Sequence, residues 1–389
     1  MVLNEVTRGR CLVDHELQDL VDTRKIMLSD TYGLKMQPAS FEPTLGRRLV
    51  SINTETGELF RPGKFSTIDE AIDAINKRQK TEHDITDGFD LRAGFTYLIQ
   101  LQERFVLEGN ERIKASPKSS IGRLFPRTRL LTDQNPCIDE VHAHYNPGQE
   151  VGAWLLVQPS SLNFRVHPNL ALNQLRFFNG LDATLLDQEI LAIHKENPLL
   201  YHEKTAESNT PVENPLICQG LQAHLDLSGK YSNGIIGLRT KRSQKVIDLQ
   251  SIRVYDPLDF FEPLHANDEG ELIIEPGCCY LLSGLEVVRI PTDTSAELRS
   301  NTHISLDGPV HLAGFFDPGF EARPVYEVRC DETTPIKLTH GMPLSRFEFY
   351  HNKEPTNPYG SEALASSFQS QTGIKLPKQF RKLRLEEVA

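Results

Sequence analysis

No run of about 18 apolar residues occurs anywhere in the 389-residue chain, which argues against a membrane-spanning helix. The six cysteines, at 11, 137, 218, 278, 279 and 330, form no CxxC pair. Adjacent Cys278 and Cys279 suit neither an ordinary disulfide nor a shared zinc site. Scattered thiols in so long a chain read as reduced, so a cytoplasmic location is expected. The opening residues, MVLNEVTRGR, carry charge with no apolar stretch behind them, so no signal peptide is expected. HExxH, GxSxG, the Walker A pattern and a GxGxxG after a strand are all absent. Pro136-Cys137 continues as Ile138-Asp139-Glu140, which breaks the Pro-Cys-x-x-Cys zinc pattern. Metal-hydrolase, dehydrogenase and P-loop readings therefore lose their usual support. His142 and His144 alternate, and either share a strand face that could hold a metal or lie in a polar strand or loop.

Basic residues are also in deficit. With 42 Lys and Arg against 53 Asp and Glu the net charge is −11, so neither nucleic acid nor a membrane surface is an expected partner, while local basic pockets stay open. A hydrophobic fraction of 39% supplies a core and excludes global disorder.

What is present is repetition. AGFTYL (93–98) matches PGCCYL (276–281), NPGQ (146–149) matches DPGF (317–320), and VHPNLALNQLRF (166–177) matches LTHGMPLSRFEF (338–349). The offsets of 183, 171 and 172 keep one order, as a duplication with loop insertions requires. Short β-type runs such as 95–101, 153–158, 280–283 and 324–330 are separated by Asn-Pro-Gly, Asp-Pro-Gly, Ser-Asn-Gly and His-Gly turns. No strand–helix alternation appears, so the expected class is mainly β, as sandwiches or jelly rolls, with a few short helices. Helices are expected over 15–21, over 68–76 behind a Thr67–Glu70 capping box, and over 185–196 before Pro198. The polar stretch 206–215 is the expected linker, dividing the chain into 1–207 and 208–389.

Three strings carry candidate chemistry. SPKSSIGR (116–123) places Lys118 before the hydroxyls of Ser119 and Ser120 and Arg123 after them, either a polyphosphate clamp or a polar surface turn. In HLAGFFDPGFEARPVYEVR (311–329), Asp317-Pro-Gly makes a tight turn and the following strand holds Glu327 on the face opposite Tyr326 and Val328. Glu327 is either a solvent-facing strand residue or a partly desolvated general base. The tail SSFQSQTGIKLPKQFRK (366–382) is basic and contains a glycine, so it either closes over an anion or frays.

Together these strings resemble the dCTP deaminase branch of the dCTP deaminase/dUTPase family. The matching residues are Lys118-Ser119-Ser120-Ile121-Gly122-Arg123, Asp317-Pro-Gly-Phe with Glu327, Phe368-Gln369-Ser-Gln371-Thr-Gly373, and MQPASFEPTLG (36–46). The resemblance covers nearly the whole chain and is strongest to the long two-repeat bacterial members, through VYDPLDFFEPL (254–264). It implies a distorted, dUTPase-like β jelly roll in each half and a zinc-independent hydrolysis of dCTP to dUTP and ammonia, in the supply of pyrimidine deoxynucleotides. It implies catalytic roles for Glu327, Ser119 and Arg123, and substrate contacts from Lys118, Ser120, Ala313, Asp317, Phe368, Gln369, Gln371 and Lys375. Mg²⁺ is expected to enter with the triphosphate, held mostly by phosphate oxygens and water. A homo-oligomer is expected, since sites in the family lie between subunits.

The two halves depart from the single-repeat pattern in complementary ways. The first has Asn146 at the turn and Leu156 where the base belongs. The second keeps Arg299-Ser300 but has Asn301 for the second serine and Ile304 at the arginine position. One composite site follows: clamp from the first half, base from the second, lid from the tail. The tail has Ser367 where relatives often carry lysine, with Lys375 as the nearest replacement. Competing readings are a dUTPase, a bifunctional deaminase-diphosphatase, and a catalytically silent nucleotide-binding protein.

Overall fold

A two-residue period builds most of the structure. Strand Ala153–Pro159 turns Leu155 and Val157 into one apolar cluster and Trp154 and Leu156 towards another on the opposite face. The computed structural model describes residues 8–28, 35–53, 66–205, 207–267, 269–301, 310–311, 314–330, 333–364 and 366–383. Ala313 and Ile304 lie outside them.

In the first half, an antiparallel sheet runs in the order Pro126–Thr132, Ala153–Pro159, Thr96–Leu101, Leu45–Ile52, Lys80–Asp84. A second runs Glu140–His142, Arg112–Pro117, Asn173–Asn179, Ser40–Phe41, Met36–Gln37, with Arg10–Cys11 added to Asn173–Asn179. Leu49, Ile99, Leu155 and Val157 of the first sheet meet Phe41, Ile113, Leu175 and Phe177 of the second in one core. In the second half, strand Leu221–Asp226 pairs with both Cys279–Gly284 and Pro343–His351, joining two sheet segments around Leu282, Ala296, Tyr326, Val328, Phe347 and Phe349. This is a pair of tandem distorted jelly rolls, mainly β, with four α-helices among the described residues.

Strand register displays the duplication independently of the sequence matches. Leu98 pairs with Leu156 in the first half and Leu281 with Glu327 in the second, positions related by offsets of 183 and 171. Ile113 pairs with Phe177 and Ala296 with Phe349, related by 183 and 172. The same register sets Arg299 against Ser116, two positions from where the motif match sets it.

The helices form at Asp14–Asp22 (α1), Ile68–Ala74 (α2), Ser119–Gly122 (α3) and Asp187–Glu196 (α4). The capping box of α2 is present: Glu70 N–H donates to Thr67 Oγ1 at 3.1 Å, and Thr67 N–H donates to the Glu70 carboxylate at 3.3 Å. Ile68 and Ile72 of this helix pack on Val50, Leu98, Leu131 and Trp154. The polar stretch expected as a linker contains a strand, Asn209–Pro211, paired with Leu200–Lys204. Polarity reads as a linker there because the strand lies at a sheet edge, with Asn209 and Thr210 exposed. The second core reaches back across residue 208 to Leu185, Ile190, Leu199 and Leu200.

The halves share an apolar seam. The largest apolar cluster joins Ile113, Leu124, Phe125 and Phe164 to Leu238, Phe261, Cys279, Leu281, Val325 and Phe380. Val246–Asp248 adds a parallel strand to Asn163–Val166 across the same junction. No helix among the described residues is long and apolar enough to cross a membrane.

Candidate functional site

Strand Arg112–Pro117 runs directly into α3, and Lys118 N–H donates to the Leu172 carbonyl at 3.0 Å, fixing where the strand ends. Ile121 and Leu124 anchor the turn in the core, and Arg123 between them is carried into the seam, 3% exposed. Its Nη1 donates to Gln371 Oε1 at 3.2 Å and to the Lys375 carbonyl. Its guanidinium lies over the Phe368 ring at 3.6 Å, and its Nε is 3.8 Å from Glu327 Oε1. Burial pulls the Arg123 pKa down to about 10, against the opposing pull of Glu327.

Glu327 reaches this point from the other repeat. In strand Val325–Arg329, Tyr326 and Val328 fill the second core while Val325 joins the seam cluster. Alternation puts Glu327 on the seam side, opposite Leu281, where it is 2% exposed. Its buried position excludes the solvent-facing alternative.

The tail completes the enclosure. Gln371 donates to the Arg323 carbonyl at 2.8 Å, and its own main-chain carbonyl accepts from Arg323 N–H at 3.1 Å. Gln369 spans the Asp-Pro-Gly turn, donating to the Gly319 carbonyl at 3.2 Å and accepting from Glu321 N–H at 3.1 Å. Gly319 takes φ +91°, with the Tyr359 carbonyl close against it, so this turn needs glycine. Lys375 donates to the Ser367 carbonyl, across the position where related tails often carry lysine.

The structure therefore brings Arg123, Glu327, Phe368, Gln371 and the Lys375 main chain together. Lys118 is turned to Glu42, which is 7% exposed. Ser119 and Ser120 are half-buried, and their hydroxyls bond to no other described residue. Asp317 is turned to Arg176: Nη2 lies 3.4 Å from its carboxylate, and burial raises the Asp317 pKa against the pull of that guanidinium. His142 ends a strand and His144 lies in the 3-10 turn Ala143–Tyr145; no described group of three His, Cys, Asp or Glu residues is placed to hold a metal.

Three positions escaped the sequence reading. Glu42 belongs to the 36–46 segment, whose resemblance to the family was the available signal, though it gave this residue no role. Tyr359 accepts from Phe368 N–H at 3.1 Å and so helps fix the ring beneath Arg123. Arg176, fully buried, donates at 2.7 Å to the carbonyls of both Ala296 and Phe316, locking the Asp317 turn from the other repeat. No local pattern signals this, because a strand arginine ordinarily points to water.

Fold and site define a class: a duplicated, dUTPase-like jelly-roll protein with an arginine–carboxylate centre enclosed between its repeats. The "2′-deoxycytidine 5′-triphosphate deaminase (DCD) N-terminal domain" matches residues 9–181, and the corresponding C-terminal domain matches 186–380. A crystal structure of 2′-deoxycytidine 5′-triphosphate deaminase from Agrobacterium tumefaciens superimposes with a TM-score of 0.78 at 31% identity, covering 89% of this chain and 99% of that one. The "dCTP deaminase, dUMP-forming" of Streptomyces coelicolor is 30% identical over 152 residues, covering 37% of this chain and 80% of the relative. The protein of the same description from a Nocardioides species is 33% identical over the same shares. The chain belongs to the dCTP deaminase family.

Proposed function

We propose that this chain hydrolytically deaminates dCTP in the seam between its repeats. The carrying observation is the convergence of Arg123 from the first repeat with Glu327 from the second, under Gln371 and Phe368 of the tail. In this reading Glu327 accepts a proton from the water that attacks C4 of the cytosine ring. It delivers that proton to N3 as hydroxide adds at C4, and then relays the proton of the new C4 hydroxyl to the amino group, so that ammonia leaves, C4 becomes a carbonyl and N3 keeps its hydrogen. Arg123, Ser119 and Ser120 bind and orient the nucleotide, with two half-buried hydroxyls available to phosphate oxygens. Lys118 exchanges Glu42 for phosphate as the substrate enters. Magnesium would arrive on the triphosphate, coordinated by phosphate oxygens and water.

A second reading is favoured by the relatives described as dUMP-forming, in which the triphosphate is also cleaved. One incubation separates the two. Purified protein with dCTP and magnesium is followed for ammonia, dUTP, dUMP and pyrophosphate together. Ammonia with dUTP alone supports the simple deaminase; ammonia with dUMP and pyrophosphate supports the bifunctional enzyme. Tight dCTP binding with no product would overturn both and leave a silent nucleotide-binding protein.

A further inference from the structure

Three arginines are buried among the described residues: Arg123, Arg176 and Arg323. Two of them face a carboxylate: Arg123 lies 3.8 Å from Glu327 and Arg176 lies 3.4 Å from Asp317. Arg323, 3% exposed, faces none among the described residues. Its Nη2 donates to the His202 carbonyl at 2.8 Å, and its guanidinium lies over the Tyr231 ring at 4.1 Å. Its Nη1 is buried and has no hydrogen-bond partner among the described residues. The nearby acids are already engaged: Glu203 accepts from Lys230 at 2.6 Å, and Glu321 pairs with Lys204 at 2.7 Å. A buried guanidinium with one orphaned donor and no counter-charge is costly, and an entering anion removes both penalties at once.

The position of Arg323 says which anion. Its main-chain N–H and C=O are both paired with Gln371, the residue that also accepts from Arg123. Four residues further along the same segment stands Glu327. The tail then passes Gly373 so close to the 229–234 loop that a Cβ there would lie 2.5 Å from Ser232 Oγ. Gln371 thus stands between two buried cations, one beside the reacting carboxylate and one on the loop side.

We propose that Arg323 is a second anion-binding residue of this site, its Nη1 donating to a phosphoryl oxygen of the polyphosphate chain. The inference rests on the nucleotide reading above for the identity of the anion. The orphaned donor calls for an anion whether or not the protein deaminates dCTP. Arg323 acts in binding and takes no part in the proton transfers at C4.

The test uses the full chain, comparing wild type with Arg323→Met and Arg323→Lys. The probes are inorganic tripolyphosphate, read by the shift in melting temperature, and dCTP, read as KM and kcat separately. Arg323→Met should abolish the tripolyphosphate shift and raise KM for dCTP roughly ten- to hundredfold, the scale of one charge-assisted hydrogen bond. Its kcat should stay within a few-fold of wild type. Arg323→Lys keeps the charge but loses the planar fork, and should fall between the two. A merely structural role would lower the melting temperature while leaving the tripolyphosphate shift and KM in place, and that result overturns the proposal. If Arg323→Met does not fold, wild-type crystals soaked in tripolyphosphate decide: a phosphate oxygen on Nη1 supports it, and phosphate bound only elsewhere overturns it. The two readings fail separately. Wild type that binds tripolyphosphate through Arg323 but leaves dCTP unchanged would end the deaminase reading alone. Wild type that deaminates dCTP with a KM matched by Arg323→Met would end this one alone.

Discussion

Leu156 and Glu327 occupy the same place in their repeats, each opposite a leucine of the neighbouring strand, Leu98 or Leu281. What covers them differs. Over Leu156 lies α2, whose Ile68 and Ile72 seal that sheet face against Trp154 and Leu98. Over Glu327 lies the other repeat, which brings Arg123, while the tail brings Gln371. A carboxylate at the first position would meet a helix of aliphatic side chains; at the second it meets a cation. The difference shows that a duplicated fold need not duplicate a site, because the cover decides the chemistry. The turns follow suit: buried Asn146 donates to the Asp133 carbonyl at 3.2 Å within its own half, whereas buried Asp317 reaches across to Arg176.

Four substitutions break or sharpen this contrast. The largest effect belongs to Glu327→Gln, which should lower kcat by roughly 10²–10⁴-fold, the usual worth of a positioned acid–base group, and leave dCTP binding measurable by calorimetry. Full turnover in this variant would end the composite-site reading. Next is Ile72→Ala, which opens a cavity under α2; urea unfolding should show a loss of about 2–4 kcal/mol, with kcat unchanged where the protein stays folded. Coupled loss of kcat would mean that the two faces are not independent. Third, Leu156→Glu should cost about 1–3 kcal/mol for a partly desolvated carboxylate. Combined with Glu327→Gln, it should restore no turnover, and any recovery would show that α2 leaves room for a second site.

The smallest effect is a slope. Burial holds the Asp317 carboxyl above its ordinary value, so the folded state keeps that proton to higher pH than the unfolded chain does. This group therefore subtracts stability as pH rises from about 3.9, its unfolded value, through its folded one. Asp317→Asn carries no titrating carboxyl and should flatten that part of the stability–pH curve measured by denaturant titration. An unchanged slope would mean that Asn146 and Asp317 differ only in contacts, not in charge.

Much of this arrangement was legible in the sequence. Strands Thr96–Leu101 and Ala153–Pro159 were readable because their pattern is local, and the paired offsets foretold the shared register. Arg123, Glu327 and Gln371 were readable as motifs, but their meeting was not, since 248 residues separate Arg123 from Gln371 and no periodicity encodes such a contact. The cover over Leu156 was illegible for a different reason: the apolar stripe of α2 predicts that a face will be buried, not which one. The polar stretch at 206–215 misled because edge strands are polar for the same reason loops are: water meets them. Arg176 and Arg323 were invisible, because the carbonyls and aromatic rings that hold each of them inside come from far along the chain, and no sequence pattern encodes such contacts.

The seam also has a kinetic consequence. Arg123, Glu327 and Gln371 belong to one polypeptide, so the parts of the centre are tethered to one another and meet at a fixed effective concentration. A centre divided between separate chains falls apart on dilution, and its activity per chain falls with it. Here the meeting of Arg123, Glu327 and Gln371 should survive dilution, whatever a second copy of the chain adds to the site.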